Sequence, residues 1–256
     1  MRIRALLIAL SVTLPMQVGA QASARNCDRN AGVGGNRVQG VYPNAPYDGK
    51  FIFARIAYGT GFGRGEPPWH HDYNEAEQHF TKLLVNLTKV KSHTTKSSVF
   101  TLDDPELLRF PIAYMSEPGF WRPNEAEVLG LRNYLKKGGF LIFDDFYGEH
   151  IYQLIQSMER VLPGMRLIEL PTTHPIFDSF YRVRTFEFYH SYQCIKSEFY
   201  GIFEDNDPKK RMLAIVNQNS DLGEAWEWSD RGVFAIDISN EAYKLGINYI
   251  IYAMTR

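Results

Sequence analysis

Two adjacent carboxylates, Asp144 and Asp145, close a short apolar run, Phe140 to Phe143. That run follows an amphipathic segment ending in Lys136-Lys137 and stopped by Gly138-Gly139. A continuously apolar strand entered from a helix reads as the centre of a parallel sheet covered on both faces. In such sheets ligands sit outside the carboxyl ends of the strands, which is where the two acids fall. Side chains alternate along a strand, so the pair divides its work. One acid caps the next helix by accepting backbone N–H bonds. The other is available for general acid/base chemistry, for a divalent metal, or for holding a ligand hydroxyl. Asp145, nearer the turn, is the expected functional member. Receiver domains of phosphorelays also cluster acids at strand ends, but an exported chain would not meet a cytoplasmic kinase.

Other chemical motifs are weaker. Gly59-Thr60-Gly61-Phe62-Gly63-Arg64-Gly65 follows a strand as a phosphate loop would, but Arg64 stands where a dinucleotide fingerprint needs Gly. Pro67-Pro68 then intervene before any helix, so no helix N-terminus is offered to a pyrophosphate. A loop over the sheet edge is the expected role. His70-His71-Asp72 has metal-binding residue types without metal-binding spacing, since adjacent residues seldom share one ion. It reads instead as a helix entry, with Asp72 and Glu75 forming a capping box. His174, before Pro175, reads as a hydrogen-bonded structural histidine. No G-x-S-x-G elbow is present, and neither cysteine lies in a nucleophile turn, so serine or cysteine catalysis has no carrier. Asn217 to Trp228 reads as an Asn/Asp/Gly loop with Trp226 and Trp228 exposed. Aromatics beside carboxylates suit sugar or peptide recognition, with burial of either Trp the alternative.

The elements that must position these groups alternate in type. Phe51 to Tyr58 is the first strand, and a helix follows with Ala76, Phe80, Leu83, Leu84 and Leu87 on one face. Ser98 to Leu102 is a short second strand, followed by a turn of helix capped by Asp103 with Glu106. Pro111 to Ser116 is the third strand, ending at Glu117. Asn124 and Glu127 repeat the capping-box spacing ahead of a helix that turns Val128, Leu131 and Leu135 inward. After the acid pair comes a helix with Ile151, Leu154, Ile155, Met158 and Leu162 on one face, stopped at Pro163-Gly164. Met165 to Leu170 is a fifth strand. Alternating strands and helices predict an α/β fold with a parallel sheet. Beyond Thr172 the pattern becomes β-rich, with a hairpin or extended insertion around Asp205-Asn206-Asp207-Pro208. Val233 to Ile238 is expected as a last strand, and Asn240 to Met254 as a closing helix.

Composition narrows the class. Of 256 residues, 28 are basic and 29 acidic, a net charge of −1 that leaves no basic stripe for nucleic acid. The N-terminus reads as a secretory signal over residues 1–22. Arg2 and Arg4 precede an apolar stretch from Ala5 to Leu14, and cleavage is expected after Ala20 or Ala22. Losing both arginines takes the charge to −3. The apolar stretch is shorter than the about 20 residues that span a bilayer, and no other stretch approaches that length. Localisation in the periplasm or outside the cell follows. Residues 23–49, rich in Gly, Asn, Arg and Pro, read as a flexible tail, and residues 50–256 as one domain. Cys27 and Cys194 either pair as a disulfide or remain separate thiols.

Several motifs taken together carry a resemblance: Arg55 to Gly59 (RIAYG), Trp69 to Tyr73 (WHHDY), Leu131 to Phe146 (LRNYLKKGGFLIFDDF), His174 to Phe177 (HPIF), NQNSDLGEAWEW at 217–228 and the final GINYIIYAMTR. In order and spacing they resemble the bacterial domain-of-unknown-function family 4159 over essentially the whole mature chain. The resemblance implies membership of the class I glutamine amidotransferase-like clan and a three-layer, flavodoxin-like parallel sheet, here with a β-rich C-terminal extension. It implies no assigned reaction. Where amidotransferases of that clan carry a nucleophilic cysteine, this chain has Asp144 and Asp145, so glutaminase activity is not expected.

The resulting expectation is an exported, non-glutaminase module that binds a small molecule, a sugar or a protein partner of the cell envelope. A hydrolase acting on sugar or peptide bonds through Asp144 or Asp145, with or without a divalent metal, is the first alternative. A structural envelope protein is the second. No other cofactor is called for. At the strand exits the site residues are Tyr58, Gly59, Glu117, Asp144 and Asp145. The motif loops add Trp69, Asp72, His174, Asp221 and Trp226. Gly59, Glu117, Asp144 and Asp145 are expected to converge on one cleft.

Overall fold

In the computed structural model, residues 44–59, 67–186, 188–190, 193 and 195–256 are described. The signal segment, most of the glycine loop and both cysteines lie outside them. The chain forms a mixed α/β protein around one seven-stranded sheet.

In chain order the elements are β1 (Phe51–Ile56), α1 (Glu75–Leu87), β2 (Ser92–Phe100), β3 (Ile112–Ser116), α2 (Glu125–Lys136), β4 (Phe140–Asp144), α3 (His150–Val161), β5 (Ile168–Glu169), β6 (Glu198–Phe203), β7 (Met212–Gln218), α4 (Leu222–Glu227) and α5 (Ile236–Thr255). The strand order is β2-β1-β3-β4-β7-β6-β5. The first five strands of that order run parallel, while β6 and then β5 close the far edge antiparallel.

Strand alternation sorts the apolar side chains into two cores. Phe51, Phe53, Ile112, Tyr114, Phe140, Ile142 and Ile215 face α1, α4 and α5. Ile52, Ala54, Ile56, Ala113, Met115, Leu141 and Phe143 face α2 and α3. Both faces are therefore covered, which is why the inner strands are apolar along most of their length, with Arg55, Ser116, Asp144 and Asn217 polar exceptions near their carboxyl ends.

Local signals place the ends of α2. Glu127 N donates to Asn124 Oδ1 and Asn124 N to Glu127 Oε2, each at 2.9 Å. At the other end Gly138 adopts φ 111°. Gly139 N there donates to Tyr134 O at 2.9 Å and Gly138 N to Leu135 O at 3.3 Å, a Schellman stop that delivers the chain directly into β4. The hairpin around Asp205 to Pro208 also forms, as β6 and β7.

Elsewhere the structure corrects the sequence reading. Asp72 does not cap α1. Asn74 occupies the N-cap, without a side-chain capping bond, and Asp72 is buried two residues earlier at φ 63°. Asp104, not Asp103, caps the 3-10 turn Pro105–Arg109 by accepting from Glu106 N. β2 starts six residues earlier than expected, at Ser92, because its first half pairs along β1. The fifth strand shrinks to Ile168–Glu169 and runs antiparallel to β6. Val233 to Ile238 is not a strand, since Ile236 already begins α5. Residues 44–47, read as tail, are tied to the edge strand, with Asn44 bridging Val99 through both backbone groups at 2.8 Å. Among the described residues no helix is long and apolar enough to cross a membrane.

Candidate functional site: an acidic cleft

The floor of the site is Asp144. As the last residue of β4 it is fully buried, and its carboxylate accepts from five donors. Tyr114 Oη (2.7 Å), Leu222 N (2.7 Å) and Gly223 N (3.4 Å) bond Oδ2. Asn217 Nδ2 (3.1 Å) and Ser220 Oγ (3.0 Å) bond Oδ1. Burial raises its pKa, opposed by those donors, Tyr114 first. This carboxylate is consumed in joining β4, β7 and the start of α4.

Asp145 turns the other way. It sits at φ 58°, a left-handed conformation that Asp tolerates better than most residues. Its Oδ2 accepts from Ser116 Oγ at 2.9 Å, and the residue lines a cavity of about 590 Å³. Burial, then the charges of Glu117 and Asp144, push its carboxyl well above the usual range.

The walls come from neighbouring strand exits. Tyr58, beyond β1, donates its hydroxyl to Ser116 O (2.9 Å) and Glu117 O (2.6 Å), locking the β1 and β3 exits together. Glu117 leaves β3 at φ 49° and sets Oε1 2.5 Å from His71 Nδ1. Arg55 Nη1 donates to the carbonyls of Trp69 (3.0 Å) and His71 (2.7 Å), fixing the 67–73 segment over the sheet. Asp221 caps α4 by accepting from Glu224 N at 2.9 Å, and both acids face the cavity. Phe120, Phe146, Tyr147, His150 and His190 add to the lining, with Pro68 and Gln193. Burial, with help from His150, lowers the His190 pKa to about 4, so its imidazole is neutral at pH 7.

Two of the lining acids, Glu117 and Asp145, hold left-handed backbone, and so does Asp72 behind them. Such conformations cost of order 1–3 kcal/mol each and concentrate at functional sites.

Titratable side chains here fall into three interlocking groups whose ligand atoms lie within 4.8 Å of one another. They are His71, Glu117 and Asp145; Asp145, His190 and Asp221; and Asp72, Asp221 and Glu224. Asp145 and Asp221 each belong to two groups.

Of the residues singled out from sequence, Glu117, Asp145 and Asp221 line the cavity, with Asp144 beneath them. Tyr58 braces the wall, and Asp72 lies behind Asp221 and Glu224. Gly59 follows Tyr58 at the β1 exit but does not line the cavity, and the loop after it, 60–66, is outside the described residues. Trp69 packs beside His70 and Tyr73. Trp226 is 1% exposed, packed in the core at tilted angles against Phe80 and Tyr114, and Trp228 is buried as well. The expected exposed pair is corrected, because residues 222–227 form a helix clamped between α1 and α5. His174 packs on Phe203 and Tyr252 at the opposite end of the sheet, away from the cleft.

His71, His150, His190 and Glu224 were missed as site residues. For Glu224 a signal existed in its spacing of three from Asp221, and for His150 in its position at the start of the helix after the acid pair. His190 had none.

A smaller depression of about 290 Å³ lies near Arg132, Lys136 and Arg211. Its arginines already donate to backbone carbonyls, Arg132 to Val161 and Arg160, Arg211 to Leu135 and Gly139.

The class is thus an α/β protein with an acidic, aromatic-rimmed cleft at the carboxyl ends of its parallel strands. The model of a domain of unknown function, DUF4159, matches residues 52–254, and the chain belongs to that family. No curated protein matches it in sequence.

Proposed function

We propose that this domain is an exported, non-glutaminase binding module whose cleft takes a small polar ligand with hydroxyl or amine groups, such as a sugar or a peptide terminus. The observation that carries the reading is the division of labour in the acid pair. Asp144 is spent on structure, while Asp145 borders an open cavity with Glu117, Asp221 and Glu224. Carboxylates accept hydrogen bonds strongly, and the rings of Phe120, Phe146 and Tyr147 offer apolar faces beside them. The order β2-β1-β3-β4-β7 agrees with the 2-1-3-4-5 arrangement of flavodoxin-like sheets, which supports the amidotransferase-like clan as the source of the scaffold. Asp144-Asp145, rather than a cysteine, at the β4 exit supports the loss of glutaminase chemistry. Export rests on the leader-like residues 1–22.

A hydrolytic role in the same cleft is the second reading, favoured by the raised pKa of Asp145, which suits a general acid. The test is mass spectrometry of small molecules released on denaturing the purified full chain, alongside a thermal-shift panel of amino sugars, neutral sugars and short peptides. A ligand retained by the wild type and lost from Asp145→Asn is the expected result. Retention unchanged by that substitution tells against the cleft. Turnover of the stabilising compound selects the hydrolytic reading.

A further inference from the structure

Asp72 is a buried acid whose carboxylate has no hydrogen-bond partner. The residue is 2% exposed and held at φ 63°. Neither carboxylate oxygen meets a hydrogen-bond donor, and no cation among the described residues forms an ion pair with it. Arg55 lies close enough to feel its charge, but donates instead to Glu77, Trp69 and His71.

The carboxylate is nevertheless aimed with care. One oxygen each from Asp72, Asp221 and Glu224 lie within 4.8 Å of one another. Oxygens sharing an ion at about 2.0–2.6 Å can be at most about 4–5 Å apart, so this separation fits a single coordination sphere. The approach depends on Gly223, where a Cβ would fall 2.6 Å from Asp72 Oδ2. A buried carboxylate without a donor, as at Asp72, is expensive. We infer that Asp72, Asp221 and Glu224 bind a hard divalent cation, Ca²⁺, Mg²⁺ or Mn²⁺, at the inner wall of the cleft. An all-oxygen donor set suits such ions. Asp221 and Glu224 also face the cavity, so an ion held there is within reach of a ligand, which deepens the binding role proposed above and rests on the same cleft.

The test uses the full chain, stripped with chelator and checked for folding by circular dichroism. Calorimetric titration with MnCl₂ should give one ion per chain, and the melting temperature should climb with Mn²⁺ concentration. Asp72→Asn suits the left-handed backbone and should fold. It should weaken Mn²⁺ at least tenfold while raising the melting temperature of the metal-free protein. Glu224→Gln provides the same comparison from a helical position. The inference is overturned if the folded wild type binds none of Mn²⁺, Mg²⁺ or Ca²⁺ at millimolar concentration, or if neither substitution changes Mn²⁺ affinity. Mn²⁺ binding that falls with His71→Asn or His190→Asn but not with Asp72→Asn also overturns it, by moving the ion to the histidines. Ligand retention is measured separately on the chelated protein. A cleft that keeps its ligand but ignores Mn²⁺ sinks only the metal, and the converse sinks only the ligand.

Discussion

Asp144 and Asp145 share a peptide bond but occupy opposite situations. Asp144 accepts two backbone amides from α4 and three side-chain donors, whereas Asp145 accepts one serine hydroxyl and borders the cavity. The left-handed turn at Asp145 produces the split, rotating the second carboxylate out of the sheet just as the strand ends.

Asp144→Asn should therefore be the damaging substitution. An amide presents an NH₂ to one pair of donors and loses the bonds on that side, a cost of at least about 2 kcal/mol. Urea denaturation followed by circular dichroism measures it, and a loss below 0.5 kcal/mol, roughly the scatter of a surface substitution, would contradict the structural role.

Asp145→Asn should leave stability unchanged or raise it, because a charge is removed from beside Glu117 and Asp144. Affinity for the cleft ligand should fall by about 1–3 kcal/mol, the range for a charge-assisted bond. Thermal shift with and without ligand separates the two effects.

His174 predicts an acid sensitivity far from the cleft. Its Nδ1 accepts from Ile176 N at 3.3 Å, which only the neutral ring can do, and burial lowers its pKa. The unfolded chain then binds the proton more readily than the folded one. Stability should be full above the ordinary histidine value of about 6.5 and decline as pH falls below it. His174→Asn keeps an N-cap acceptor and should flatten that part of the stability-against-pH curve. An unchanged slope would remove His174 as its source.

Arg55 and Glu77 form a buried pair, Nε to Oε1 at 2.5 Å. Arg55→Met should cost about 3–5 kcal/mol by stranding Glu77, and adding Glu77→Leu should recover a large part of that loss. Any shortfall measures the carbonyls of Trp69 and His71 that Arg55 also holds. A double variant no more stable than the single one would show that those carbonyls, and not the charge, decide the cost.

The export proposal is checked by the N-terminus of the protein recovered from its native envelope, expected at Gln21 or Ser23. Full-length chain in the cytosol would revive the phosphorelay reading of the acid pair.

Legibility followed the range of the interactions. The Asn124/Glu127 box, the Gly138-Gly139 stop and the Asp205–Pro208 turn depend on residues a few positions apart, and each formed as read. Asp72 and Glu75 show the same spacing as Asn124 and Glu127, yet a left-handed residue at 72 moved the cap to Asn74 and drew the acid inward. Trp226 beside polar neighbours looked exposed, because only the packing of α1 and α5 against α4 buries it. The cleft joins residues near 71, 117, 145, 190 and 221, a convergence that no local spacing encodes. Strand exits revealed the floor and part of the wall, but not His190.

Tyr249 on α5 donates to Asn217 Oδ1 at 3.0 Å, and Asn217 in turn donates to Asp144. The cleft floor is thereby wired to the C-terminal helix, while much of the rim, near 67–71, 118–120, 188–190 and 193, lies outside the long helices and inner strands. The rim can thus be rewritten by substitution without disturbing the floor. Amide protons at Leu222 and Gly223 should be among the slowest in the molecule to exchange with solvent, released only when the whole domain opens.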